Sequence, residues 1–117
     1  MLRTLRTFAV ILVLISARQP LVMLLGEGDR FSVDLPAAEL QQLMGDHIQY
    51  QLRLQRDGVA IAGGGFSQSE DGLIGLTLLR TSSLEEAQRI ANADPAVQAK
   101  RFKATVREWW VPAGRLD

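Results

Sequence analysis

His47 is the one imidazole among 117 residues, so acid–base chemistry near neutral pH would centre on it. It lies four residues after Leu43 and three after Met44, on the apolar stripe of a helix that faces inward. An imidazole there is partly shielded from water, and a carboxylate beside it would decide which ring nitrogen carries the hydrogen. That is the equipment of a general base. The plainer alternative is a histidine hydrogen-bonded within the core and chemically idle. Cysteine is absent, which excludes disulfide frameworks, thiolate nucleophiles, iron–sulfur clusters and cysteine-based zinc sites. A site needing two imidazoles would have to borrow one from a second subunit, and no metal site is expected. Neither a P-loop nor a Gly-x-Gly-x-x-Gly signature occurs. Gly63-Gly64-Gly65 could offer backbone N–H groups to a ligand anion, although three glycines in a row fit a flexible turn better. Trp109 and Trp110 fall on opposite faces of a strand, one toward the helices and one toward a partner subunit or the pocket mouth. Gly64, Gly65 and Trp109 are thus the candidate ligand-binding residues. Lys100, Arg101 and Lys103 read as a small solvated basic cluster.

The chain that must position these residues is one small domain. Thirteen basic side chains balance thirteen acidic ones, which gives no electrostatic pull toward nucleic acid. Hydrophobic residues make up 47% of the chain, enough for a packed core. The first residues stand apart. Arg3 and Arg6, the apolar run Phe8–Ile15 and then Ser16-Ala17 follow the layout of a secretory signal peptide. Residues 1–17 are read as a signal peptide or N-terminal anchor, with a buried strand as the alternative. Residues 20–112 form the folded domain and 113–117 a tail. A functioning signal would make the protein periplasmic or secreted, with membrane contact only if the segment stays uncleaved; otherwise the protein is cytoplasmic.

Apolar periodicity orders the rest. Leu21–Leu25 is a strand, and Asp34 N-caps a helix with Pro36 in its first turn. Leu40, Leu43, Met44, His47, Ile48, Leu52 and Leu54 form that helix's apolar stripe, which Asp57-Gly58 ends. Val59–Ala62 and Leu73–Leu79 are strands of a hairpin. Overlapping capping boxes, Ser82 with Glu85 and Ser83 with Glu86, open a second helix that Asp94-Pro95 breaks. A short helical turn over 96–100 leads to a last strand over 102–111. The order βαββαβ predicts an α+β, ferredoxin-like fold: a four-stranded antiparallel sheet with both helices on one face. The other face carries too many leucines and isoleucines to meet water, so a homodimer through the sheet face is expected.

The placed residues resemble the YciI-like (YCII-related) family of dimeric α/β-barrel proteins. The resemblance rests on His47-Ile48-Gln49-Tyr50-Gln51-Leu52, on Gly58 and the pair Gly63-Gly64, on Ser83-Leu84-Glu85-Glu86-Ala87 leading to Ala93-Asp94-Pro95-Ala96-Val97, and on Val106-Arg107-Glu108-Trp109. It runs from about Leu21 to Val111. Family members usually have Gly-Pro where this chain has Gly64-Gly65. The resemblance implies a ferredoxin-like dimer with a pocket around a His–Asp pair. One member acts as a dehydrochlorinase on a chlorinated aromatic.

Asp94 is the first choice as partner of His47, although an aspartate before proline is also a turn former that caps backbone N–H groups. Asp57 is the reserve, and Asp46 points about 100° away around the helix. Two functions follow. The first is a small acid–base enzyme of the lyase or hydrolase type, needing no cofactor, with His47 moving the proton and Asp94 orienting it. The second is a non-catalytic dimeric module that binds a small ligand. RNA recognition fits poorly, because the strands lack a stacking aromatic pair and basic residues.

Overall fold

The strand β1 (Leu21–Glu27) alternates strictly: Leu21, Met23 and Leu25 are buried, while Val22 and Leu24 are only half-buried on the opposite face. The structure, a computed structural model, describes residues 21–109. Residues 1–17, read as a signal or anchor, and the tail 113–117 lie outside that range. Beyond β1 come α1 (Ala37–Arg56), β2 (Ala60–Gly65), β3 (Leu73–Leu79), α2 (Leu84–Asn92), α3 (Pro95–Gln98) and β4 (Phe102–Glu108). The strands form one antiparallel sheet in the order β2-β3-β1-β4. This is the ferredoxin-like arrangement expected from the element order. Leu21, Met23, Leu25, Leu79 and Phe102 from the sheet meet Leu54, Ala87, Ala91 and Ala96 from the helices in a single core. Alanine at 87 and 91 lets α2 lie close on the sheet, since no longer side chain keeps the two apart.

Three local details differ from expectation. Asp34 does not cap α1; the cap position is Pro36, in extended geometry, and no side chain closes the first turn there. Proline supplies the fixed φ for entry to the helix, and Glu39 places negative charge in the first turn. Ile48 and Leu52 do not join the buried stripe but stand about half exposed. The inward positions are taken by Leu43, Met44, His47, Tyr50, Gln51 and Leu54, so two polar residues sit where the apolar pattern alone would have put leucine and isoleucine. Gly63–Gly65 do not turn. They continue β2 as an edge strand paired with Thr77, Leu76 and Gly75 of β3.

The third difference has a steric cause. A Cβ on Gly75 would lie 2.6 Å from the Gly64 carbonyl oxygen and 3.2 Å from Gly65 Cα. Glycine on both strands therefore allows a closer backbone approach than side chains would, which is a reason for glycine in a strand other than turning. At the other end of α1, Gly58 takes φ +76° and closes the helix as expected. Ser83 caps α2, its hydroxyl accepting from the Glu86 N–H, while the Ser82 hydroxyl donates to the Glu86 carboxylate.

Gly75→Ala should lower stability by roughly 2 kcal/mol, because backbone cannot move out of the way as a side chain can. Gly45→Ala, in the middle of α1 with nothing within 4 Å of the added carbon, should raise it by about 0.5–1 kcal/mol. Urea titrations of the two variants check both signs.

Candidate active site

Asp94 ends the segment after α2 and caps α3, and its side chain is fully buried. The cap follows from local chemistry: Pro95 at the first helical position needs no N–H partner, and Asp94 Oδ1 accepts the N–H of Ala96 at 2.9 Å. The second oxygen is turned to α1. His47 Nδ1 lies 2.7 Å from Asp94 Oδ2, and Gln51 Nε2 donates to the same oxygen at 3.0 Å. Amide donors on both oxygens mark Asp94 as an acceptor, so the ring nitrogen facing it carries the hydrogen. Nε2 is then the nitrogen with the free lone pair. Capping a turn and holding the ring, set against each other on sequence grounds, are here divided between the two oxygens of one carboxylate. Asp57, at the C-terminus of α1, and Asp46, bonded to Gln42, are both exposed.

Three further residues complete the cluster, and none was singled out from the sequence. Gln51 follows His47 by one helical turn, so both reach the same carboxylate. Thr77 of β3 is buried and donates its hydroxyl to Gln51 Oε1 at 2.8 Å. Tyr50 donates to the Ile90 carbonyl at 2.6 Å, tying α1 to α2. Signals for them existed: a glutamine at i+4 from the histidine, and one hydroxyl among apolar residues on the inward face of Leu73–Leu79.

The ring of His47 rests edge-on against Phe102, centroids 5.1 Å apart at 87°. Its side chain keeps 15% of its surface exposed. Phe102 in turn meets Phe31, and the Arg101 guanidinium lies 4.9 Å over the Phe31 ring. Arg101 also donates to the Val33 carbonyl at 2.9 Å. It is thus half-buried and braces the loop between β1 and α1, whereas the basic cluster was expected in solvent. That loop is pressed against the turn after α3, where a Cβ on Gly28 would fall 2.3 Å from the Lys100 carbonyl.

Gly64 and Gly65 lie in the edge strand β2, next to Gly63, whose added Cβ would stand 3.1 Å from the Thr77 hydroxyl. The glycine strand therefore runs beside the Thr77–Gln51 end of the cluster. Trp109 is exposed just past β4, seven residues from Phe102, which is about 23 Å along a strand. The structure does not bring it to His47, and Trp110 lies outside the described residues. Two cavities described among residues 21–109 lie elsewhere. One, about 460 Å³, opens on the helix-free face of the sheet beside Leu24, Lys103 and Arg107. The other, about 550 Å³, runs along α2 by Gln88 and Asn92. Among the described residues no group of three or more His, Asp or Glu side chains comes together as a metal site.

Burial, and after it the negative charge of Asp94, hold the Tyr50 phenol above its ordinary value near 10, with Arg53 acting weakly the other way. A raised folded value means that the protonated phenol favours the fold. That contribution is complete below about pH 10 and fades as pH climbs through the folded value. Tyr50 is the one tyrosine of the chain, so tyrosinate absorbance should titrate above 10 in the native protein and return to about 10 in urea.

The sequence profile of the YCII-related domain matches residues 21–110. No curated protein sequence matches the chain significantly. Among solved structures the fold is similar to 5-chloro-2-hydroxyhydroquinone dehydrochlorinase (TftG) from Burkholderia phenoliruptrix AC1100, in complex with 2,5-dihydroxybenzoquinone. The TM-score is 0.50 at 15% identity, over 77% of this chain and 93% of that one. At that identity the likeness is one of fold. The profile, by contrast, spans every strand and helix described above, and with that the chain belongs to the YCII-related family.

Proposed function

We propose that this protein is a small acid–base enzyme of the lyase or hydrolase type, acting on a small organic molecule without a cofactor. The observation that carries the reading is the 2.7 Å contact between His47 Nδ1 and a fully buried carboxylate. With its Nδ1 hydrogen committed to Asp94, the ring offers Nε2 as a base. In an elimination, Nε2 takes the substrate's acidic proton. The electron pair left behind forms the new double bond, and the leaving group departs with its own pair. The imidazolium so formed is stabilised by the Asp94 oxygen already bonded to it. The proton then passes to solvent and the base is regenerated. TftG, a dehydrochlorinase by name, shares the fold, which makes chlorinated hydroxyaromatics the first probes to try.

His47→Asn keeps a polar side chain of similar reach near Asp94 but has no base. Chloride release from 5-chloro-2-hydroxyhydroquinone, and from a panel of related halogenated phenols, should fall at least 100-fold, with circular dichroism unchanged. Equal turnover in a folded His47→Asn protein would end the enzyme reading. Saturable binding with no conversion by the wild type would favour the second reading, a ligand-binding module.

We also propose that two copies pair through the helix-free face of the sheet. Val22, Leu24, Leu73, Leu76 and Leu78 line that face, an apolar patch that a monomer would leave wet. Leu76→Glu should convert a dimer into a monomer by sedimentation velocity; a wild type that sediments as a monomer refutes the pairing.

A further inference from the structure

We infer that Gln51 and Thr77 are positioning residues that hold His47 in its Nδ1–H tautomer. This inference rests on the acid–base reading of His47 and names two groups that make it work. The directions along the chain of hydrogen bonds are settled by the chemistry of each group. Asp94 accepts, so Gln51 must turn its amide nitrogen toward Oδ2. The Gln51 carbonyl oxygen, then facing β3, can only accept, so the Thr77 hydroxyl must donate. A flipped Gln51 would set two acceptor oxygens against each other. Thr77 thereby anchors Gln51 to the sheet, and Gln51 occupies one lone-pair direction of Oδ2 while the ring takes the other.

The Ala96 N–H on Oδ1 and the Gln51 amide on Oδ2 pin both ends of the carboxylate. An oxygen pinned in this way meets the imidazole in one orientation only. Without Gln51, Asp94 would keep the Ala96 bond but could rock about it, and the ring would be free to present either nitrogen. Neither Gln51 nor Thr77 hydrogen-bonds the ring; both act on it through Asp94, so neither is a catalytic residue. Phe102 limits the tilt of the ring from the sheet side, but an aromatic edge does not distinguish the two nitrogens. That distinction is left to the polar chain.

The single histidine makes the test direct, because every imidazole nitrogen signal belongs to His47. The full chain labelled with ¹⁵N is examined at a pH above which the ring shifts no longer change, so that the neutral ring is read. The wild type should show one nitrogen with the shift of a protonated ring position and one with that of an unprotonated position. In Thr77→Val, which keeps the shape of the buried side chain, and in Gln51→Leu, the two shifts should converge as tautomers mix. Thr77→Ser restores the hydroxyl and should restore the separation. Turnover, measured on the probes named above, should fall about tenfold in the first two variants through kcat rather than KM. Separated shifts that persist in both folded variants would overturn the inference, whatever the activity. Loss of activity in His47→Asn with unmoved tautomers in these variants would leave the enzyme reading standing and this one refuted. Should Thr77→Val fail to fold, Gln51→Leu decides alone, since Gln51 is only half-buried on the helix surface.

Discussion

A fully buried carboxylate is the constraint around which the helical layer is arranged. Taking a carboxylate out of water is expensive unless donors replace the solvent, and Asp94 has three: the Ala96 N–H, the Gln51 amide and the His47 ring. One donor is local and two come from a helix nearly fifty residues earlier in the chain. The carboxylate therefore ties α1 to the junction of α2 and α3 by charge-assisted bonds as well as by packing. Tyr50 adds a parallel tie to α2 a turn away. Removing any one partner leaves charge or polarity buried without compensation, so the cluster is stable as a whole and fragile piecewise.

The same economy explains why α1 is an unusual amphipathic helix. A twenty-residue helix normally spends its inward stripe on apolar contacts, yet only Leu54 of α1 is buried. His47 and Gln51 occupy two inward positions, and apolar Ile48 and Leu52 are left on the flank, half exposed. The stability forgone in burial is replaced in part by hydrogen bonds whose partners sit on rigid elements: a capped helix start for Asp94 and a central-sheet neighbour for Thr77. Functional groups held from helices and strands keep their geometry better than groups on loops.

How much of this was legible in the sequence depends on how local the cause is. The apolar run Leu73–Leu79 and the Ser83 cap act over a few residues, and both stand in the structure where the pattern puts them, although the Glu86 carboxylate accepts from Ser82 and does not close a box on the Ser83 N–H. The inward position of His47 was likewise readable from Leu43 and Met44. Asp94 could be paired with it only through the family resemblance, because nothing in a 47-residue separation says that two side chains meet. Gln51 and Thr77 carry only weak local signals for the same reason: each looks ordinary until its neighbour across the core is known. Gly63–Gly65 misled in the opposite direction. Glycine runs signal a turn when judged alone, and here they serve close strand approach, which only the partner strand reveals.

That close approach bears on the site as well as on the sheet. Along β3 the residues alternate between two faces, Thr77 and Leu79 toward the helices, Leu76 and Leu78 away from them. A slip of one residue would put Leu76 opposite Gln51, withdraw the hydroxyl, and turn Thr77 to the apolar face proposed to pair with a second copy. Gly75 guards against that slip on the β2 side. Its backbone lies so near Gly64 and Gly65 that neither Ile74 nor Leu76 could stand in its place without a Cβ driven into the facing carbonyl. A glycine with no chemistry of its own thus keeps the register in which threonine meets glutamine, glutamine meets aspartate, and aspartate meets the ring.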